Sequence, residues 1–190
     1  MIPQNLQLEN NRAVLRRLQM SDVETLKEVA FAPIIWKWSS SNIYDEVSLT
    51  EYVRKGVEER CAFLIFDKAT NRVAGCTSYG NIHLKNNRLE IGWTWIGVDF
   101  QRTGLNRACK SLLLQYAFEI LGCKRVELKT DTRNSKSRTA MEAMGAQPEG
   151  ILRSHMALSN SSKRRDTIYY SILEEEWKRL KTSIFKDFVG

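Results

Sequence analysis

Two stretches of this sequence combine residue types and spacing that suit chemistry. The first, Gln101-Arg102-Thr103-Gly104-Leu105-Asn106-Arg107, leads into an amphipathic helical run through polar residues, a glycine and two cations. The first amides of a helix lack internal partners, and the helix dipole adds partial positive charge there. Gly104 removes a side chain from the approach, and Arg102 and Arg107 add charge, so phosphate suits this turn. A surface turn with an incidental glycine is the alternative. The spacing fits neither GxxxxGK[ST] nor GxGxxG. The second is Glu90, at the head of the otherwise uncharged "EIGWTWIGV". A carboxylate in such a setting can serve as a general base that accepts a proton from a reacting group. Glu90 reads equally as a charge at a strand's exposed start, or as the partner of Arg88.

Other reactive groups are sparse. His83 and His155 are the only histidines and lie far apart, so no metal site is expected. The four cysteines (Cys61, Cys76, Cys109, Cys123) contain no CxxC pair and suit a reducing compartment. Cys109 falls on the apolar stripe of its helix, as a core residue would. The net charge of +7 favours acidic partners in general. Its basic residues are dispersed, with short clusters at Arg16-Arg17 and Lys163-Arg164-Arg165, and read as a solvated surface. No RNP-like, KH-like or helix-turn-helix pattern is present, so nucleic acid is not expected as a partner except through a ribosomal substrate. No apolar run approaches ~18 residues and the N-terminal stretch lacks a signal-peptide core, which predicts a cytoplasmic protein that does not engage membranes.

These residues need a scaffold, and the pattern supplies one. With 190 residues, three prolines and no linker-like segment, one domain spanning 1–190 is expected. "LQLENN" and "AVLRRL" predict strands around an Asn-Asn turn. Ser21 with Glu24, and Ser48 with Glu51, predict capping boxes at two helix starts. "CAFLIF" and "RVAGCTSYG" predict a hairpin across "DKATN". "RLEIGWTWIGV" alternates, which places Leu89, Ile91, Trp93 and Trp95 on one face and Glu90, Gly92, Thr94 and Ile96 on the other. A helical stripe then runs from 105 to 121 and stops at Gly122. "KRVELKTD", "SKSRTAMEAMG", a further strand, the polar loop "SNSSKRR", "DTIYYSI" and a helix from Glu174 complete the chain. Mixed helices and strands around a central strand–helix–strand crossover predict an α+β sheet.

The turn resembles the pyrophosphate-binding motif of the GNAT acetyltransferases, [Q/R]xxGx[G/A], with Asn106 departing at the last position. Asparagine there resembles the Rim-type branch, which acetylates ribosomal-protein N-termini. "TDTRNSKSRTAMEAMGAQPEGILRSHM" resembles that branch's second block, NxxSRxxxExxGxxxEGxLR, through Asn134, Ser137, Arg138, Glu142, Gly145, Glu149, Gly150 and Arg153. The match runs from about Arg12 to Trp177. It implies a mixed sheet of about six to seven strands, splayed between "RLEIGWTWIGV" and "KRVELKTD". In that splay acetyl-CoA would meet Ile96, Val98, Gln101, Arg102, Thr103, Gly104, Leu105, Asn106, Arg107, Asn134 and Ser137. Glu90 is the implied base. The family's acid tyrosine position holds Met141, and Ser137 is the residue the Rim-type branch offers instead. Ser137 reads also as an exposed helix serine, and Asn134 as a helix cap. Trp36, Trp38 and Glu90 would shape the acceptor site, although paired tryptophans near a helix end often only pack. The implied acceptor is a primary amine, either a protein N-terminus or a small amine such as a polyamine or antibiotic, and a homodimer is compatible. A nucleic-acid-binding module and a CoA-liganded regulator are the competing readings.

Overall fold

The computed structural model describes residues 2–158 and 162–188. Its centre is one sheet in the order β1-β2-β3-β4-β5-β6-β8-β7. The strands are β1 (Gln7–Glu9), β2 (Ala13–Arg17), β3 (Cys61–Asp67), β4 (Arg72–His83), β5 (Arg88–Ile96), β6 (Arg125–Asp131), β7 (Gln147–Ala157) and β8 (Arg164–Leu173). Eight strands replace the six to seven expected. Every neighbouring pair is antiparallel except β5 with β6. That parallel pair needs a crossover, supplied by α4 (Leu105–Gln115).

The parallel pair is also where the sheet opens. β5 and β6 are in register only at Arg88↔Arg125, Leu89↔Val126 and Glu90↔Glu127. Beyond Glu90 the strands part, and the expected splay lies between the expected strands. On one face, α4 and α6 (Glu174–Ser183) close the main core with Leu89, Ile91, Leu113, Tyr170 and Trp177. The short α5 (Ser135–Glu142) joins this side, where Tyr170 Oη donates to Glu142 Oε1 at 2.7 Å. On the other face, α1 (Val23–Ala30), α2 (Pro33–Trp36) and α3 (Glu46–Glu58) enclose a second core of Leu26, Trp36, Leu49, Tyr52, Val53 and Trp95.

Several local expectations are corrected. α3 begins at Glu46, because Asp45 provides the cap: its Oδ1 accepts the Ser48 amide at 2.8 Å. Ser48 closes the box from the third helical position, its Oγ accepting the Asp45 amide at 3.2 Å. Glu51 instead pairs with Arg54 at 2.8 Å. Before α1, the closing bond runs from the Gln19 amide to Asp22 Oδ2 at 2.9 Å, and Ser21 is not the cap. The stripe after α4 passes through a π-helical turn, Tyr116–Ile120, closed by the Leu121 amide on Tyr116 O at 3.0 Å. The wider turn shifts the helical phase, so Phe118 is buried while Ile120, expected inside, is exposed. The loop expected at 159–165 lies partly outside the described residues, and its Arg164 and Arg165 belong to β8.

Candidate active site

Glu90 occupies the last paired position before β5 and β6 separate, so its side chain stands at the vertex of the splay. It is 3% exposed. Oε2 accepts from Lys129 Nζ on β6 and from Asn81 Nδ2 on β4, both at 2.7 Å. Oε1 lies over Gly92, where a Cβ would come within 2.8 Å of it. Arg88 is not the partner; it bonds Glu127 at 3.1 Å, which Arg125 also holds at 3.0 Å. Glu90, Asn81, His83 and Tyr169 line a cavity of about 470 Å³ that opens on this side of the sheet.

The strand above Glu90 does not keep its alternation. The β4–β5 register jumps from Ser78↔Gly92 to Cys76↔Trp95, a bulge that sets two residues against Thr77. Trp93 turns to φ +50°, an outlying conformation for a bulky residue. The faces therefore exchange: Thr94 and Ile96 follow Leu89 and Ile91 toward α4, while Trp95 packs in the opposite core. The expectation that Glu90 faces away from Trp93 and Trp95 is overturned. Lys129 Nζ, the partner of Glu90, sits 5.9 Å from the Trp93 ring and 5.6 Å from that of Tyr169. The bulge is held from both sides. Tyr52 Oη on α3 donates to Trp93 O at 2.9 Å, and Lys110 Nζ on α4 donates to Thr94 Oγ1 at 2.7 Å. Gly80 admits the Trp93 ring, since a Cβ there would lie 2.2 Å from it.

The turn at 101–107 is built from local bonds. Gln101 Nε2 donates to Ile96 O at 3.0 Å, and Thr103 Oγ1 to Phe100 O at 2.8 Å. Gly104 adopts φ +86°, and a Cβ built on it meets nothing within 4 Å. The first helical bond of α4 is Ala108 N–H to Gly104 O at 3.1 Å, so the amides of Leu105, Asn106 and Arg107 precede the ladder. Arg102 and Arg107 are exposed here, Val98 is half-exposed, and Asn106 Oδ1 is enclosed without a partner.

The remaining candidates divide. Asn134 Oδ1 accepts the Ser137 amide at 3.2 Å and caps α5 on β6's side of the splay, and Ser137 is half-buried. Met141 packs against the main core. Trp36 is 4% exposed, donates to Ala30 O at 2.7 Å and packs edge-on against Tyr52 and tilted against Trp95, as the packing alternative has it. Trp38 is half-buried at the far end of the polar face, under the guanidinium of Arg133 at 4.9 Å. Cys109 is buried, and burial pushes its thiol up to about 12, far from a thiolate nucleophile. Lys129, Asn81, Tyr169 and Tyr52 were not anticipated. One signal was available: Glu127, Lys129 and Asp131 alternate with Val126 and Leu128, which marks a polar face on β6.

Residues 12–147 match the acetyltransferase (GNAT) domain family. The chain belongs to the GNAT acetyltransferase family. It is therefore a transferase of a family that uses acetyl-CoA. It is 30% identical over 183 residues to the "Putative ribosomal N-acetyltransferase YdaF" of Bacillus subtilis, covering 89% of this chain and 95% of that protein. A GCN5-related N-acetyltransferase from Brucella melitensis superposes with a TM-score of 0.88 at 26% identity, over 98% of this chain and 87% of that one. The ribosomal-protein-S5-alanine acetyltransferase of Vibrio fischeri shares the fold at a TM-score of 0.73 and 18% identity, over 90% and 98% of the two chains. As in other GNAT proteins, the sheet is mixed and open between its central strands.

Proposed function

We propose that this protein transfers the acetyl group of acetyl-CoA to a primary amine, and that the acceptor is a protein N-terminus. The observation that carries the reading is the position of Glu90: an enclosed carboxylate at the vertex where the sheet opens, with one oxygen bonded and the other over Gly92. The turn fits a CoA pyrophosphate. Gly104 leaves open space, amides precede the helix ladder, Arg102 and Arg107 are exposed, and an unmatched polar atom of Asn106 lies beside them. Ile96 and Val98 border the route from this turn into the splay.

Acetyl-CoA supplies a thioester whose thiol, with a pKa near ~8.5, leaves readily. The chain supplies position and a proton acceptor. Glu90 takes the amine's proton, directly or through water, while Asn81 and Lys129 hold its carboxylate in place. Tyr52 fixes the Trp93–Thr94 peptide, so the amides of the bulged β5 edge are set before substrate arrives. Asn134 and Ser137 border the splay from β6's side, and Ser137 provides the hydroxyl for the departing thiolate. The transfer is direct. The four cysteines are buried and burial raises each thiol, which disfavours an acyl-enzyme.

The Rim-type match around Asn106 and Asn134–Arg153 and the name of the Bacillus subtilis relative support a ribosomal-protein N-terminus as acceptor. Such a substrate places the enzyme in the cytoplasm. Incubation with acetyl-CoA and a panel of N-terminal peptides and polyamines, read by thiol release and by mass, tests the reading. Peptide acetylation supports it; acetylation of polyamines alone moves the acceptor to small amines, and thiol release from none of them overturns it.

A further inference from the structure

On the polar face beside Glu90, β8 carries Arg165, Thr167 and Tyr169 at alternate positions. Tyr169 lines the cleft with Glu90, and Arg165 lies farther along the same face, against the Trp38 backbone. Arg165 is 7% exposed, and burial pushes its pKa down from the ordinary guanidinium value. An enclosed arginine normally has a carboxylate partner, because a buried charge is costly when unpaired. Arg165 bonds neutral oxygens instead: Thr167 Oγ1 at 3.1 Å and Trp38 O at 3.4 Å. Among the described residues it enters no ion pair.

The neighbouring carboxylates are already taken. Asp131 receives Arg133 Nη2 at 2.6 Å, and Arg133 Nε and the Arg133 amide at 2.9 Å each. Glu90 receives Lys129 and Asn81. Asp166, the third carboxylate near Arg133, accepts the Ser154 amide at 2.6 Å. Asp131 and Glu90 act on Arg165 through space, but no carboxylate bonds its guanidinium. One unmatched polar atom borders the same wall: His155 Nδ1 on β7 is enclosed without a partner, its ring edge-on to Tyr169 at 5.9 Å. A planar guanidinium is the side chain best shaped to take a carboxylate with two parallel hydrogen bonds.

We infer that Arg165 is an anion subsite of the acceptor cleft, and that the acceptor is an amine carrying a carboxylate close to the nitrogen. The inference rests on Glu90 marking the amine's position. Two sources offer this chemistry: a peptide with an acidic residue at its first or second position, and a free amino acid.

Calorimetry on the full chain with CoA present separates the cases. One pair of peptides differs only by Glu or Gln at the second residue, and glycine against glycinamide represents the free amino acid. The acidic member of at least one pair should bind about tenfold more tightly, as a charge-assisted bond allows. Arg165→Met should abolish that preference, and Arg165→Lys, which keeps the charge and loses the fork, should reduce it severalfold even if the methionine variant does not fold. Equal affinities within both pairs, no binding by any of the four, or a preference that survives substitution overturns the inference. Acetyl transfer is assayed separately. Equal transfer rates to acidic and neutral twins sink the anion subsite alone, whereas intact discrimination without any transfer sinks the catalytic reading alone.

Discussion

Glu90 is the last β5 residue paired with β6, Lys129 lies two residues past the last paired residue of β6, and their side chains meet at 2.7 Å. Glu127, two residues before Lys129, is the last β6 residue in register with β5. The ion pair therefore ties the two sides of the splay where backbone bonds no longer do. The side chains are 4% and 16% exposed, so solvent screens the pair weakly.

Removing one partner leaves the other enclosed and under-bonded. Lys129→Met should lower unfolding free energy by about 2 kcal/mol, and the Glu90→Gln/Lys129→Met double variant should recover much of that loss. Urea unfolding of the four proteins of this cycle measures it. Additive losses would mean the pair does not couple the strands.

At Gly104 the open space and the positive φ separate two effects. Gly104→Ala costs about 1 kcal/mol for the left-handed backbone alone, because the added methyl touches nothing in the protein. With the pyrophosphate held at this turn as proposed, the methyl obstructs it and CoA affinity should fall by at least tenfold. A thermal melt and a CoA titration on one sample tell them apart, and an unchanged Kd would remove the turn from the site.

Tyr52 touches no reacting group, yet its hydroxyl holds the Trp93 carbonyl at the bulge. Tyr52→Phe keeps the ring between Trp36 and Trp95 and loses that bond, at a cost of about 1–2 kcal/mol. The expected kinetic signature is a roughly tenfold lower kcat with unchanged CoA affinity, as loosened alignment predicts. A parallel loss of CoA binding would assign Tyr52 a purely structural role.

Lys110 makes stability depend on pH. Its ammonium is buried on α4 against Thr94 and Thr77, and burial pushes it from 10.5 down to about 8. Between those values the unfolded chain holds a proton that the folded chain has released, so this group's contribution to stability rises with pH across that window. Below about pH 8 both states are protonated and the folded state carries the full cost, at most about 3 kcal/mol. Lys110→Met should therefore be the more stable protein at pH 7, and wild type should gain on it from pH 8 to 10. Comparing the two cancels the buried cysteines and tyrosines, whose raised pKa values act in the opposite direction. A difference that stays flat with pH would contradict the assignment.

The strands, the α4 stripe and the glycine-led helix entry at 104–105 were legible in the sequence, because each depends on local periodicity or on helix-end chemistry. The bulge escaped it. Period-2 reading assumes an unbroken strand, and the reversal at Trp93 depends on Gly80 and Tyr52, which lie on other elements. Lys129 and Asn81 escaped it for a related reason: sheet order, not spacing, brings β4 and β6 to either side of Glu90. Arg165 was hidden in a basic cluster that reads as solvated until β8 is seen to begin at Arg164. The caps failed more simply: the boxes close earlier in the chain, on Asp45 with Ser48 and on Gln19 with Asp22.

The central claim is that Glu90 accepts the proton of an amine acetylated from acetyl-CoA. Its most direct test is the transfer rate of Glu90→Gln beside wild type, on a peptide amine from pH 6 to 9, with CoA affinity measured on both proteins. The expected result is a fall of about 10²–10⁴-fold with unchanged CoA binding. A Glu90→Gln variant that acetylates the same peptide at the wild-type rate across that range would contradict it.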